Sequence, residues 1–282
     1  MTTTLDRIMI IRGGWEVNPM RAAVLAIGRE ILRGRVQDTN SWVLTRRLAG
    51  IGIEVVRIAS CDDDLDAIVR EIRRSLEDGA RLVLSTGGLG PTGDDLTLQA
   101  LAAATNRSMV LHPDARRLVA ERYAQLHVVG AVADSGLTPT REKMAWLPQD
   151  ARPLPNAIGA APGVWLEDGD ATYIALPGVP AEMVEILEEE VLPLLAPRIP
   201  TAVFVERRIV TKARDESAVA PLLRELGREL PEVFFKSHPT RFGPDVRMEI
   251  FASTWATDPE TAEARIARAL AGLRKALGEA TA

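Results

Sequence analysis

Residues 85–97 form a segment that carries four glycines, a proline and two adjacent aspartates. An apolar run ending at Leu84 precedes it, and Leu98 and Leu101 follow at helical spacing, which predicts a strand, a loop and a helix. Free backbone N–H groups at such a turn suit a phosphate. Asp94 and Asp95, at the predicted helix start, would repel that phosphate unless a divalent cation or a proton intervened. The segment therefore predicts a phosphate-binding site.

Length, charge and cysteine content limit the class of protein. The 282 residues allow one large domain and a small one. A net charge of -5 gives no bulk attraction to nucleic acid or anionic membrane, and no apolar run approaches membrane-spanning length. Cys61 is the only cysteine, which excludes an internal disulfide. We expect a cytoplasmic homo-oligomer with no membrane partner and no nucleic-acid partner.

Residues 20–200 alternate between strand and helix patterns. Predicted strands cover residues 22–27, 53–58, 81–85, 164–166 and 172–176, the last two forming a hairpin. Predicted helices cover residues 39–49, 65–76, 182–195 and a segment that begins at Pro113. Asp63 or Asp64 is expected to cap the second helix. This alternation predicts a three-layer α/β domain with a mostly parallel sheet.

Two further segments flank that domain. Residues 201–282 predict a small α+β module, with strands at 202–210, 233–235 and 246–251 and helices at 217–230 and 259–277. Residues 1–19 are interpreted as a dispensable, disordered extension, or as a start assigned too far upstream. Trp42, Trp146, Trp165 and Trp255 are predicted to lie in the core or in an interface.

A second acidic cluster, Asp62 to Asp64, follows the second predicted strand. Because loops after successive parallel strands meet at one edge of a sheet, this cluster is expected to face Asp94 and Asp95. Converging carboxylates are ligands for Mg²⁺, usually shared with substrate phosphates. A helix cap with solvated charge explains the cluster equally well.

The loop itself fits neither common nucleotide motif. Gly88 to Gly93 matches G-x-G-x-x-G literally, but it follows the third predicted strand and opens a helix with two aspartates, unlike a Rossmann loop. No Lys-Ser or Lys-Thr pair follows it, so it is not a Walker loop. The alternative to a ligand loop is a structural turn with Asp94 as the helix N-cap.

Five segments together resemble one family. They are Gly28-x-Glu30-Ile31-Leu32, Asp38-Thr39-Asn40, Thr86 to Thr97, Leu154-Pro155-Asn156 with Gly163, and Leu176-Pro177-Gly178-x-Pro180. Their order and spacing resemble the MoaB/Mog domain of molybdenum-cofactor proteins, in its CinA (competence/damage-inducible protein A) branch, over residues 21–200. Residues 201–282 resemble the KH-like module that follows this domain in CinA-type proteins.

The resemblance implies a ligand and a chemistry. MoaB/Mog domains bind molybdopterin or its adenylylated form, and CinA-type domains are associated with divalent-metal-dependent hydrolysis of ADP-ribose and related pyrophosphates. It implies that Asp63 and Asp95 hold Mg²⁺ or Co²⁺, with Asp94 as a third catalytic candidate. The expected substrate-binding residues are Gly28, Glu30, Asn40, Thr86, Gly87, Gly88, Gly90, Thr92, Gly93, Lys143, Asn156, Pro177 and Gly178. A molybdopterin-binding module without turnover is the alternative.

The sequence departs from the family pattern in three places. Arg29 stands where relatives usually have a small hydroxyl or amide residue, and Asp62 where they usually have a small residue or proline. The chain ends at Ala282 without the nicotinamide-nucleotide amidase domain of many CinA proteins, so deamidation of nicotinamide mononucleotide is not expected.

The remaining candidates have weaker signals. The module has no suitably placed GXXG loop for KH-type nucleic-acid binding. Lys236 to Pro239, with Arg241 nearby, is interpreted as a polar loop. Cys61 lies beside three aspartates, so its pKa is expected to be raised.

Overall fold

The protein is described from a computed structural model that covers residues 7–9, 20–199, 203–211, 213, 215–239, 247–256 and 258–277. In chain order the strands are β1 Arg7–Met9, β2 Arg21–Ile27, β3 Glu54–Cys61, β4 Leu82–Thr86, β5 Met109–Leu111, β6 Trp146–Pro148, β7 Arg152–Leu154, β8 Gly163–Asp168, β9 Ala171–Leu176, β10 Val203–Thr211, β11 Val233–Pro239 and β12 Met248–Ala256. The α-helices are α1 Arg29–Leu32, α2 Thr39–Gly50, α3 Leu65–Glu77, α4 Thr97–Ala104, α5 Pro113–Val128, α6 Pro139–Glu142, α7 Pro180–Ile186, α8 Leu192–Leu195, α9 Glu216–Glu229 and α10 Pro259–Ala276.

The chain divides into two compact units. One comprises Met20–Ala49 and Ile53–Arg198, and the other comprises Gly50–Gly52 together with the described residues within 1–19 and 199–282. The first contains a six-stranded sheet in the order β3-β2-β4-β9-β8-β7. Strands β3, β2, β4 and β9 are parallel to one another. Strand β8 pairs antiparallel with β9, and β7 pairs antiparallel with β8. The predicted mostly parallel α/β sheet is confirmed.

Burial explains why the β2 segment is a central strand. Five consecutive residues from Ala22 to Ala26 are fully buried, because neighbouring strands flank β2 on both edges and other elements cover both faces. The polar residues that follow β2 therefore emerge only at its carboxyl end. This end lies beside the ends of β3 and β4.

Helix starts agree with the sequence at two positions. Asp64 caps α3 by accepting a hydrogen bond from the Ala67 N–H at 2.9 Å, which decides between Asp63 and Asp64. Pro113 opens α5 as predicted, and His112 caps that helix through Nδ1.

One predicted helix start is wrong. Helix α4 begins at Thr97, so Asp94 is not its N-cap. The Thr97 N–H donates to the Gly88 carbonyl at 3.2 Å and its hydroxyl donates to the Gly87 carbonyl at 2.7 Å, which holds residues 94 and 95 in the loop. The helix predicted over residues 182–195 is confirmed, although it begins at Pro180 and its middle segment, Leu187–Val191, is π-helical between α7 and α8.

The second unit is an α+β module. Its antiparallel sheet has the order β1-β10-β12-β11, and α9 and α10 contribute to the same buried core. The interpretation of residues 1–19 as a disordered extension is wrong for Arg7–Met9, which forms strand β1 and pairs with β10. Lys236 to Pro239 belongs to β11 and is not a loop. Arg241 lies outside the described residues.

The tryptophans do not all lie in the core. Trp165 is buried and Trp255 is half-buried, whereas Trp42 is 60% exposed and Trp146 is 43% exposed. Among the helices of the described ranges, none has the length and apolar character needed to cross a membrane.

Candidate functional site at the carboxyl edge of the sheet

A cavity of about 550 Å³, here the edge cavity, lies where β2, β3, β4 and β9 end. This is the edge at which the sequence predicts a ligand site. The predicted residues that line it are Glu30, Asn40, Asp63, Thr86, Gly87, Gly88, Gly90, Thr92, Asp94, Asp95, Pro177 and Gly178. Carboxylates from the two acidic clusters, which are far apart in the sequence, thus border one cavity.

Four predicted ligand contacts do not line the edge cavity. Gly28 lies at the start of α1, where its N–H donates to the Cys61 carbonyl at 3.1 Å. Gly93 faces open space, since a Cβ added there would have no atom within 4 Å. Asn156 donates through Nδ2 to Glu182 Oε2 at 2.7 Å, so it positions a carboxylate that lines the cavity.

Lys143 is the fourth. Its Nζ donates to the backbone carbonyls of Gly90 at 3.2 Å and Asp95 at 2.7 Å, so it supports the glycine loop. It lines an adjoining cavity of about 310 Å³, here the side cavity, together with Gln99, Trp146 and others. Burial lowers the pKa of the Lys143 ammonium, and the charges of Asp95 and Asp94 oppose that change.

Arg29 separates the roles of the neighbouring aspartates Asp62 and Asp63. Its guanidinium Nε lies 2.7 Å from Asp62 Oδ1, and its backbone N–H donates to Asp63 Oδ2 at 2.8 Å. The hydrogen bond from Arg29 lowers the pKa of Asp62, and the charge of Arg29 adds to this. Asp62 is therefore neutralised by an arginine, whereas Asp63 borders the edge cavity.

Thr92 joins the other two aspartates. Its hydroxyl lies within hydrogen-bond distance of both Asp94 Oδ1 and Asp95 Oδ2, and its N–H donates to Asp95 Oδ2 at 2.8 Å. A hydroxyl has one proton, so it can serve only one of the two carboxylates at a time. The hydrogen bond from Thr92 lowers the pKa of Asp94, and the charges of Lys143 and Arg29 contribute. The loop thus concentrates negative charge at the cavity wall.

The glycine loop depends on close backbone approach. Gly87 has a φ of 103°, and a Cβ there would lie 2.1 Å from the Ile27 carbonyl oxygen. A Cβ on Gly90 would lie 2.7 Å from Asp95 Oδ2. Within the described part of the chain, the backbone N–H groups of Gly88, Leu89 and Gly90 have no hydrogen-bond partner. The loop therefore offers free donors at the cavity.

Asn40 ties three segments together. Its Nδ2 donates to Thr86 Oγ1 and to the Gly178 carbonyl, both at 2.8 Å, and Thr86 donates onward to the Pro177 carbonyl at 2.9 Å. The side-chain oxygen Oδ1 of Asn40 is buried without a partner among the described residues. Asn40 therefore fixes the last residue of β4 and the loop after β9 to the start of α2.

Cys61 is a free, buried cysteine at this edge. Burial, followed by the negative charges of Glu71, Asp63 and Asp62, raises the pKa of its thiol to about 12. The predicted direction is confirmed, although burial rather than the neighbouring aspartates is the largest cause.

Glu182 was not singled out from the sequence, and Arg29 was noted there only as a departure from the family pattern. Glu182 lines the edge cavity, and Arg29 holds both aspartates after β3. The position of Glu182, in the first turn of the helix that follows a buried parallel strand, was the available signal. Within the described ranges, no group of three or more His, Cys, Asp or Glu side chains is arranged to hold a metal ion alone.

Comparisons with known proteins identify the family. The model of a family described as "Probable molybdopterin binding domain" matches residues 23–197. A protein of Aeropyrum pernix is 40% identical over 262 residues, which covers 92% of this chain and 94% of its own length. The crystal structure of a protein named CinA, with unknown function, from Thermoplasma acidophilum is 37% identical, with a TM-score of 0.56, over 62% of this chain and 97% of that one. The chain therefore belongs to the family described as probable molybdopterin-binding domains, and within it the chain is similar to the CinA protein of Thermoplasma acidophilum.

Proposed function

We propose that the chain hydrolyses ADP-ribose or a related nucleoside diphosphate derivative, with Mg²⁺ or Co²⁺ as cofactor. The observation that carries the proposal is the convergence of Asp63, Asp94 and Asp95 with a glycine loop on one cavity. Free N–H groups suit phosphate oxygens, while carboxylates at the same wall suit a cation that lies between them and the phosphate.

The residues fit a divalent cation that is shared with a substrate. Mg²⁺ is commonly held by one or two carboxylates plus substrate phosphates and water, so a complete protein cage is not required. Two polar groups at the cavity lack hydrogen-bond partners. The single proton of the Thr92 hydroxyl can serve only one of the two carboxylates that it faces. The Asn40 Oδ1 atom has no partner among the described residues. We assign the cation to Asp63 and Asp95.

The cation would supply charge neutralisation on the diphosphate and a more acidic bound water. The chain's own contribution is positioning. The free N–H groups of residues 88–90 would bind phosphate oxygens, and Asn40 keeps that loop beside Pro177 and Gly178. Asp94, whose pKa is lowered, stays ionised at neutral pH and adds negative charge beside the cation.

The second candidate is a pterin-binding module without turnover. The description of the matching family as a molybdopterin-binding domain favours it. A pterin carrying a phosphate would use the same free N–H groups, so both candidates share the loop. They differ in whether a product forms.

A substrate panel separates the two candidates. The full chain is incubated with ADP-ribose, other nucleoside diphosphate derivatives and molybdopterin, each with Mg²⁺, Co²⁺ or a chelator. Steady, cation-dependent release of AMP that Asp95→Asn abolishes supports the hydrolase. Saturable molybdopterin binding with no product from any nucleotide supports the binding module.

A further inference from the structure

The side cavity adjoins the edge cavity through the glycine loop. The two cavities share Gly88, Leu89, Gly90, Asp95 and Met144 in their walls. The loop is therefore a wall of both cavities, so a ligand whose phosphates bind its free N–H groups lies next to the side cavity. The residues that belong to the side cavity alone decide which part of such a ligand it would bind.

Trp146 gives the side cavity a flat aromatic wall. Its side chain is 43% exposed, and its indole has neither a hydrogen bond nor a ring contact within the described residues. The thioether side chains of Met109 and Met144 line the same cavity. An exposed indole beside polarisable methionines is a surface on which a planar ring stacks.

Two polar side chains in the same cavity match a ring with a hydrogen-bonding edge. The Gln99 amide, which can both donate and accept, has no hydrogen-bond partner in the part of the chain described. Lys143 uses two of its three donors on the Gly90 and Asp95 carbonyls, which leaves one donor for a ligand. The cavity thus combines a stacking wall with donors and acceptors.

We propose that the side cavity binds the heteroaromatic ring system of the ligand whose diphosphate lies in the edge cavity. This assignment rests on the proposed function, because the ring belongs to the same nucleotide. Trp146 stacks on the ring, and Gln99 binds its edge.

The test measures equilibrium binding to the full chain by calorimetry with Mg²⁺ present. The ligand is the methylene-bridged analogue of ADP-ribose, whose P–C–P bridge is not hydrolysed, and binding of this analogue is what ADP-ribose binding means in this test. Inorganic pyrophosphate is the probe without a ring. Trp146→Ala is expected to weaken ADP-ribose binding roughly 5- to 150-fold, the range that loss of one base–aromatic stack gives. Pyrophosphate binding is expected to stay unchanged, and Trp146→Phe is expected to retain most of the ADP-ribose affinity.

Leu111→Ala is the matched control, because Leu111 pairs with Trp146 across β5 and β6 and does not line the side cavity. It is expected to change neither affinity. The proposal is overturned if Trp146→Ala leaves ADP-ribose binding unchanged, or if it weakens pyrophosphate binding to the same extent.

Failure of the proposed function is distinguishable from failure of the ring site. If the wild-type chain releases AMP but Trp146→Ala binds ADP-ribose normally, only the ring site fails. If no nucleotide is hydrolysed, adenine and pterin serve as probes that consist of the ring system alone. Binding of either that depends on Trp146 supports the ring site, and absence of such binding overturns it.

Discussion

Arg29 Nε lies 2.7 Å from Asp62 Oδ1, and this ion pair joins the first turn of α1 to the acidic cluster that follows β3. Because the arginine neutralises Asp62, that aspartate does not add a free carboxylate next to Asp63. The backbone N–H of the same arginine orients Asp63. The two contacts of Arg29 therefore leave Asp63 as the carboxylate at the cavity.

Separate Asp62→Asn and Asp63→Asn variants test this assignment. Asp63→Asn is expected to lower the rate of AMP release by more than about 10-fold, since it weakens a proposed cation ligand. Asp62→Asn is expected to keep most of the rate, because its carboxylate is engaged by Arg29 and does not line the cavity. Initial rates at saturating Mg²⁺ are the measurement, and a larger loss in the Asp62 variant would reverse the assignment.

The same ion pair predicts a dependence of stability on pH. The pKa of Asp62 is lowered in the folded chain by its hydrogen bond from Arg29, so the unfolded chain takes up the proton first as the pH falls. The stability from this pair is present above the ordinary aspartate pKa of 3.8 and is lost as the pH falls through the lowered pKa. Urea unfolding across this acid range should show a shallower loss of stability in Asp62→Asn than in the wild type. Equal slopes would contradict the prediction.

Gly87 and Gly93 form a matched pair within one loop. Residue 87 has a φ of 103°, and alanine there would place a Cβ 2.1 Å from a backbone oxygen. This strain should lower the free energy of unfolding by about 1–3 kcal/mol. Alanine at position 93 meets no atom within 4 Å and should change stability little. Urea denaturation of both variants is the measurement. Equal stability of the two variants would mean that the loop does not approach β2 this closely.

Asn40→Ala should destabilise the fold by about 1–3 kcal/mol, because it leaves the Gly178 carbonyl and Thr86 without their shared donor in a buried setting. Gln37→Ala, at an exposed position three residues earlier, should stay within about 0.5 kcal/mol of the wild type. Chemical denaturation compares them. A neutral Asn40→Ala variant would show that the last residue of β4 and the loop after β9 are held by other contacts.

Apolar runs and turn signals in the sequence were sufficient to predict the fold. The uninterrupted apolar run of residues 22–27 and the hairpin around Gly169 predict elements that the structure contains. The start of α4 was not predictable in the same way. Asp94 and Asp95 look like helix caps locally, but contacts of Thr97 with Gly87 and Gly88 delay the helix.

The site was predictable in outline only. Strand order brings the loops after β3 and β4 to one edge, so carboxylates from both border the same cavity. The neutralisation of Asp62 by Arg29 depends on side-chain geometry across 33 residues, which no sequence pattern reports. The exposure of Trp146 was not predictable either, because it also depends on side-chain geometry. Sequence patterns usually place aromatic residues in cores.

The most direct test of the account is the initial rate of AMP release from ADP-ribose by the wild type, Asp63→Asn, Asp95→Asn and the double variant. If both carboxylates hold one cation, the rate requires a divalent ion, and the double variant is no slower than the slower single variant. A wild-type chain that releases no AMP with any divalent ion, or a chelator-resistant rate that both single variants retain, would contradict the account.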